Sequence, residues 1–154
     1  MKKRICSVLL FTLSVLWIAF IFSNSLENSV ESSEKSTWVY NIVRVFIPCV
    51  TKLFIRKMGH FVEFAILGFL LSFSINSILS PNPSRPLKSR ISLFLALPAT
   101  FLVGCFDEFL QNFSEGRVSA FTDALIDTAG GLCGILFVLG LLLIISRSKN
   151  SKGA

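Results

Sequence analysis

Four apolar stretches, roughly Ile5–Phe22, Phe61–Leu79, Ile91–Phe106 and Ala124–Ile145, constrain this chain more than anything else in it. Each approaches the ~20 residues that a helix needs to cross about 30 Å of hydrocarbon. The chain therefore reads as all-α, a bundle of four transmembrane helices. Composition agrees. With 53% hydrophobic residues, 16 Phe and only 16% charged residues, and a mean hydropathy of +0.71, a soluble domain would be covered in apolar surface. The longest connection, Ser23 to Lys57, leaves no room for a separate soluble unit, so residues 1–154 form a single integral membrane domain.

Lys and Arg in short loops favour the cytoplasmic side. Lys2, Lys3 and Arg4 precede the first span, Arg85, Lys88 and Arg90 lie between the second and third, and Arg147, Lys149 and Lys152 follow the fourth, with no acid among them. The opposite side mixes Lys35, Arg44, Lys52, Arg56, Lys57 and Arg117 with Glu27, Glu31, Glu34, Asp107, Glu108 and Glu115, while Glu63, Asp123 and Asp127 stand at the outer ends of their helices. Both termini are predicted to be cytoplasmic. The net charge of +6 then serves as inner-face anchoring, each cation near anionic headgroups contributing about 1 kcal/mol. It does not indicate nucleic acid. The first span has the basic start and apolar core of a signal peptide, but Phe-Ile-Phe-Ser at its end offers no small-x-small cleavage site, so it reads as a retained anchor.

Between the first two spans, Ser23–Glu34 is too polar to bury itself and reads as a solvated outer tether. Trp38, Ile42, Val45, Phe46 and Cys49 fall at helical spacing and Pro48 interrupts them, which predicts a broken interfacial helix with Trp38 and Tyr40 as anchors, with a re-entrant segment as the alternative. Three prolines, Pro81, Pro83 and Pro86, make the inner loop a stiff connector. Gly130 and Gly134 form a small-xxx-small pair that permits close helix approach, within the chain or in an oligomer. Cys6, Cys49, Cys105 and Cys133 lack paired C-x-x-C spacing. They read as buried, inert thiols, with a Cys49–Cys105 disulfide near the outer surface as the alternative.

Counting helical rise from the basic flanks places the outer edge of the hydrocarbon near positions 60, 110 and 127. Polar groups cluster there: Arg56, His60 and Glu63 around the start of the second span, Asp107, Glu108 and Gln111 at the end of the third, and Asp123 and Asp127 at the start of the fourth. Arg56, His60 and Glu63 share a helix face, as do Asp107 and Gln111, and Asp123 and Asp127. Ionisable groups at membrane depth are costly unless paired or hydrated, so these faces are expected to line a polar mouth. Asp123 and Asp127 also suit a helix start. Arg117, planar and permanently charged, is the natural counter-ion and a bidentate partner for carboxylate or phosphate. One histidine among scattered carboxylates is a weak metal signature, so no metal ligand is assigned. No cofactor is identified either.

The strings Arg56-Lys57-Met58-Gly59-His60-Phe61-Val62-Glu63 and Asp107-Glu108-Phe109-Leu110-Gln111-Asn112-Phe113-Ser114-Glu115-Gly116-Arg117, followed by Asp123 and Asp127-Thr128-Ala129-Gly130, resemble the VanZ-like family along essentially the whole chain. Phe64 stands where such proteins often carry Tyr. The resemblance implies a multi-pass protein of the bacterial cytoplasmic membrane, of the type whose namesake gives low-level resistance to the glycopeptide teicoplanin. It implies no established chemistry. Two functions are expected to compete. One is an accessory envelope protein whose outer polar cluster binds an amphiphile, such as a lipid-linked wall precursor, a phospholipid or a lipoglycopeptide. The other is a membrane-embedded hydrolase or transferase for lipid-linked phosphates, with His60 and Glu63 as acid and base and Asp107, Glu108, Asp123 and Asp127 around a divalent cation. A small transporter ranks behind both, because no pair of broken helices repeats between the halves.

Overall fold

The computed structural model describes residues 2–79, 86–116 and 120–151, with side chains over 5–79, 94–116 and 120–145. These residues form five helices and no strand: α1 (Lys2–Ser25), α2 (Ser29–Phe46), α3 (Lys52–Leu79), α4 (Pro86–Gln111) and α5 (Phe121–Ser151). Helices α1, α3, α4 and α5 each hold a segment long and apolar enough to cross a membrane: Ile5–Ser25, Lys52–Leu79, Phe94–Gln111 and Phe121–Ile145. The helices run past the apolar stretches at the acid-bearing end, because a helix in its own hydrogen-bonding register continues through polar residues once their side chains find partners.

Polar contacts fix how the spans run. The Ser7 hydroxyl donates to the Ser77 carbonyl at 3.4 Å, the Ser14 and Ser74 hydroxyls meet at 2.9 Å, and Trp17 Nε1 donates to the Glu63 carbonyl at 2.9 Å. As the numbers rise on α1 they fall on α3, so the two are antiparallel. Ser25 at the end of α1 reaches Asp107 near the end of α4, and Lys57 near the start of α3 reaches Asp123 near the start of α5. The last turns of α1 and α4 and the first turns of α3 and α5 thus share one end of the bundle.

Side-chain volume sets the interhelical distances. Between membrane helices there is little hydrophobic drive, so small residues that admit close backbone approach decide where contacts form. A Cβ at Gly130 would overlap the carbonyl oxygen of Phe61, and one at Gly134 would overlap that of Ala65 and press on the Phe69 backbone nitrogen. The Gly-xxx-Gly pair is therefore occupied within the chain, where it seats α5 against α3. Phe64, Ile21 and Leu67 fill the core between α1 and α3, whereas Phe11, Leu16, Leu102, Phe137 and Ile144 point outward.

Two expectations for the first connection are corrected. Ser23–Glu34 is not a tether: α1 continues to Ser25, and α2 begins at Ser29. The Asn28 side chain accepts hydrogen bonds from the backbone N–H groups of Val30 and Glu31, which satisfies two of the donors that a helix start leaves open. Lys35 pairs with Glu27 across the same corner. The break does fall around Pro48, with Ile47 as the last cap and α3 starting at Lys52. Its second half is no separate interfacial piece, however, because Lys52–Lys57 are the opening turns of the span itself. Cys49 and Cys105 are not paired; all four cysteines are free thiols.

Candidate functional site

The shared end of the bundle collects the acids. On α4, Asp107 and Glu108 follow one another into a packed environment and are 0% and 7% exposed. Asp107 Oδ1 accepts from the Ser25 hydroxyl at 2.5 Å. One turn later, Gln111 Nε2 donates to Asp107 Oδ2 at 3.2 Å and to Glu108 Oε1 at 3.1 Å, so a single amide uses both hydrogens to hold two neighbouring carboxylates. Glu108 Oε2 accepts from the backbone N–H of Ala120 at 2.9 Å, which ties the loop after α4 to its last turn. Ser114 reinforces the corner by donating to the Ser25 carbonyl at 2.8 Å.

Helix α3 supplies the other wall. His60 Nδ1 stands 3.9 Å from Asp107 Oδ2, and Glu63 Oε1 accepts from Asn24 Nδ2 at 2.9 Å. Lys57 Nζ meets Asp123 Oδ1 at 2.5 Å. That pair is a quarter to a third exposed, so its net contribution stays near the ~1 kcal/mol of a surface ion pair.

Asp123 and Asp127, one turn apart on α5, have different fates. Asp123 lies in the first turn and takes the structural role, a carboxylate at a helix start facing a lysine. Asp127 turns into the bundle, 1% exposed, and neither of its carboxylate oxygens has a hydrogen-bond partner among the described residues. One ligand atom each from His60, Asp107 and Asp127 lies within 4.8 Å of the others, so α3, α4 and α5 converge on a common point.

Beside this cluster a groove of about 640 Å³ runs between α1, α2 and α3. Trp17, Phe20, Val39, Val43, Ile55, Met58, Val62 and Ile66 make its walls apolar, and Asn24, Lys35, Arg56, His60 and Glu63 stand along it as polar groups. A narrow cleft next to it is bounded by Arg56, Lys57, His60, Gln111, Asp123 and Asp127. Arg56 and His60 border both spaces.

The described residues singled out from sequence are thus brought together in three adjoining sets. Arg56, His60 and Glu63 line the groove, whereas Asp107, Glu108, Gln111 and Asp127 pack behind His60, and Asp123 closes the cleft with Lys57. Arg117 lies outside the described residues. Sequence reasoning missed Asn24, Ser25 and Ser114, which hold Glu63, Asp107 and the α1–α4 corner. Their signal was weak: small polar residues at the depth of the acids, in segments read as tether and loop. Phe64 is fully enclosed in the core, where a ring without a hydroxyl needs no partner.

A family model described as VanZ/LLP1 matches residues 9–145. No curated protein and no solved structure matches the chain. With a match that spans nearly the whole sequence, four helices suited to a membrane and the motif residues gathered at one end of them, the chain belongs to the VanZ/LLP1 family.

Proposed function

We propose that this protein is an accessory factor of the bacterial cell envelope that binds an amphiphile, with a lipid-linked wall precursor as its natural ligand and lipoglycopeptides such as teicoplanin as the related challenge. One observation carries the reading: the groove joins a long apolar wall to a polar head end at Arg56, His60 and Glu63. Its volume of about 640 Å³ falls within the ~300–1,000 Å³ of ordinary ligand sites. An acyl or prenyl chain suits the wall formed by Trp17, Phe20, Val62 and Ile66, and a phosphate suits the Arg56 guanidinium. Arg117 is the second arginine that the sequence offers for that role. The acid-bearing end then faces outward, with α2 in the headgroup layer and both termini cytoplasmic; Trp38 and Phe46, exposed on α2, support that placement.

The test is saturable binding of a fluorescent lipid-linked precursor to the full chain in nanodiscs. Val62→Trp, which fills the groove, and Arg56→Ala, which removes the head contact, are expected to weaken binding while leaving the fold intact. Equal binding by wild type and both variants refutes the reading. In a susceptible host, wild type is expected to raise teicoplanin tolerance and Val62→Trp is not.

A second reading, hydrolysis of lipid-linked phosphates, is favoured by the placement of His60 between the groove and the buried acids. Phosphate release from the precursor by wild type, lost in His60→Gln, separates catalysis from binding alone.

A further inference from the structure

Asp127 poses a specific physical problem. It is 1% exposed, and among the described residues both carboxylate oxygens lack a hydrogen-bond donor. Buried carboxylates are ordinarily hydrogen-bonded, paired or bound to a metal. Among the described residues, four acids stand around it, Asp107, Glu108, Asp123 and Glu63; of the cations on the adjoining cleft, Lys57 is engaged by Asp123 and Arg56 also borders the groove.

We propose that His60, Asp107 and Asp127 bind one divalent first-row cation, with Zn²⁺ or Mn²⁺ as the fitting ions. Nitrogen and oxygen ligands of such an ion stand ~2.0–2.2 Å from it, which sets two ligands of one ion roughly 3–4 Å apart. His60 Nδ1 and Asp107 Oδ2 are 3.9 Å apart, and the three ligand atoms all lie within 4.8 Å of one another. Small side-chain rotations close the remainder. An imidazole among the ligands favours Zn²⁺ over Mg²⁺ and Ca²⁺, which prefer oxygen alone, and the two carboxylates suit Mn²⁺. The outer partners have the form that orients metal ligands, since Ser25 and Gln111 both donate to the Asp107 carboxylate. Three protein ligands leave coordination positions open. His60 also borders the groove, so a ligand seated there meets the site from its head end. The site stands whether or not the groove binds an amphiphile.

The test uses the full chain, chelator-stripped and returned to nanodiscs, without any lipid ligand. Zn²⁺ or Mn²⁺ is expected to raise the unfolding temperature, and one equivalent should remain after desalting by elemental analysis. Mn²⁺ bound to wild type should also lose its free-ion paramagnetic resonance signal, a readout that needs no variant. Asp127→Asn and His60→Gln are each expected to bind at least about tenfold more weakly. Asp127→Asn should also show no lower metal-free stability than wild type, because an amide replaces an unpartnered carboxylate. Glu115→Gln, exposed on the loop after α4, should bind as wild type does. Three results overturn the proposal: no retained metal and no free-ion signal loss in wild type, undiminished binding by Asp127→Asn, or equal stabilisation by Mg²⁺ and Ca²⁺.

Discussion

Gly130→Ala is the smallest change that tests how the bundle assembles its polar end. The added methyl would overlap the Phe61 carbonyl oxygen and crowd the Phe61 Cα and carbonyl carbon. These are backbone atoms, so no side-chain rotation relieves them, and α3 must move from α5 by about 1 Å to restore ordinary contact. Overpacking of this kind costs ~1–3 kcal/mol, and the better helix propensity of Ala returns at most about 1 kcal/mol. With that return the net loss is up to ~2 kcal/mol, and Gly130→Ala should lie ~1–3 kcal/mol below a Gly→Ala change that meets no clash. Gly140→Ala is the matched control, since a Cβ there meets nothing within 4 Å, and it should hold or gain stability. The assay is reversible unfolding in mixed micelles with increasing dodecyl sulfate, followed by helicity. Phe61 follows His60 and Gly130 lies one turn beyond Asp127, so the same displacement should also weaken cation binding. Equal stability of Gly130→Ala and Gly140→Ala would refute the close α3–α5 approach.

Ser25→Ala removes a hydroxyl that donates to buried Asp107, and a loss of ~1–3 kcal/mol is expected in the same unfolding assay. A double-mutant cycle on Lys57→Met and Asp123→Asn should return a coupling of no more than about 1 kcal/mol, given the partial exposure of the pair. Asn28→Ala removes the cap of α2 and should cost that helix ~1 kcal/mol. Hydrogen exchange of the Val30 and Glu31 amides should then rise while α3 amides stay protected.

The four spans were legible because apolar length and basic flanks report directly on what must sit in hydrocarbon. So was the common level of the acids at one end of the bundle, which follows from counting helical rise. Rotation about each helix was not. The α5 segment is apolar on every side, so nothing in its pattern showed which way the shared face of Asp123 and Asp127 turns, with Asp127 enclosed and Asp123 meeting Lys57 at the edge. The helical start at Ser29 was hidden for a different reason: its polar residues suit solvent, and the deciding contact is the side chain of Asn28 just before it. Ser25 and Asn24 looked like ordinary interfacial residues because their carboxylate partners lie on α4 and α3, far away in sequence. The convergence of His60, Asp107 and Asp127 depends on three such rotations at once, which explains why the sequence alone assigned no metal ligands.

The central claim is that separate spans deliver their polar side chains to one shared end of the bundle. In a background with Cys6, Cys49, Cys105 and Cys133 replaced by Ala, Ser25→Cys with Asp107→Cys tests it most directly, because the Ser25 hydroxyl and the Asp107 carboxylate are 2.5 Å apart, which brings two thiols there within the span of a short bis-methanethiosulfonate crosslinker. Rapid intramolecular crosslinking of the monomer by that reagent is the expected result. Two free thiols, each labelled by lipid-soluble maleimide and joined only between molecules, would contradict it.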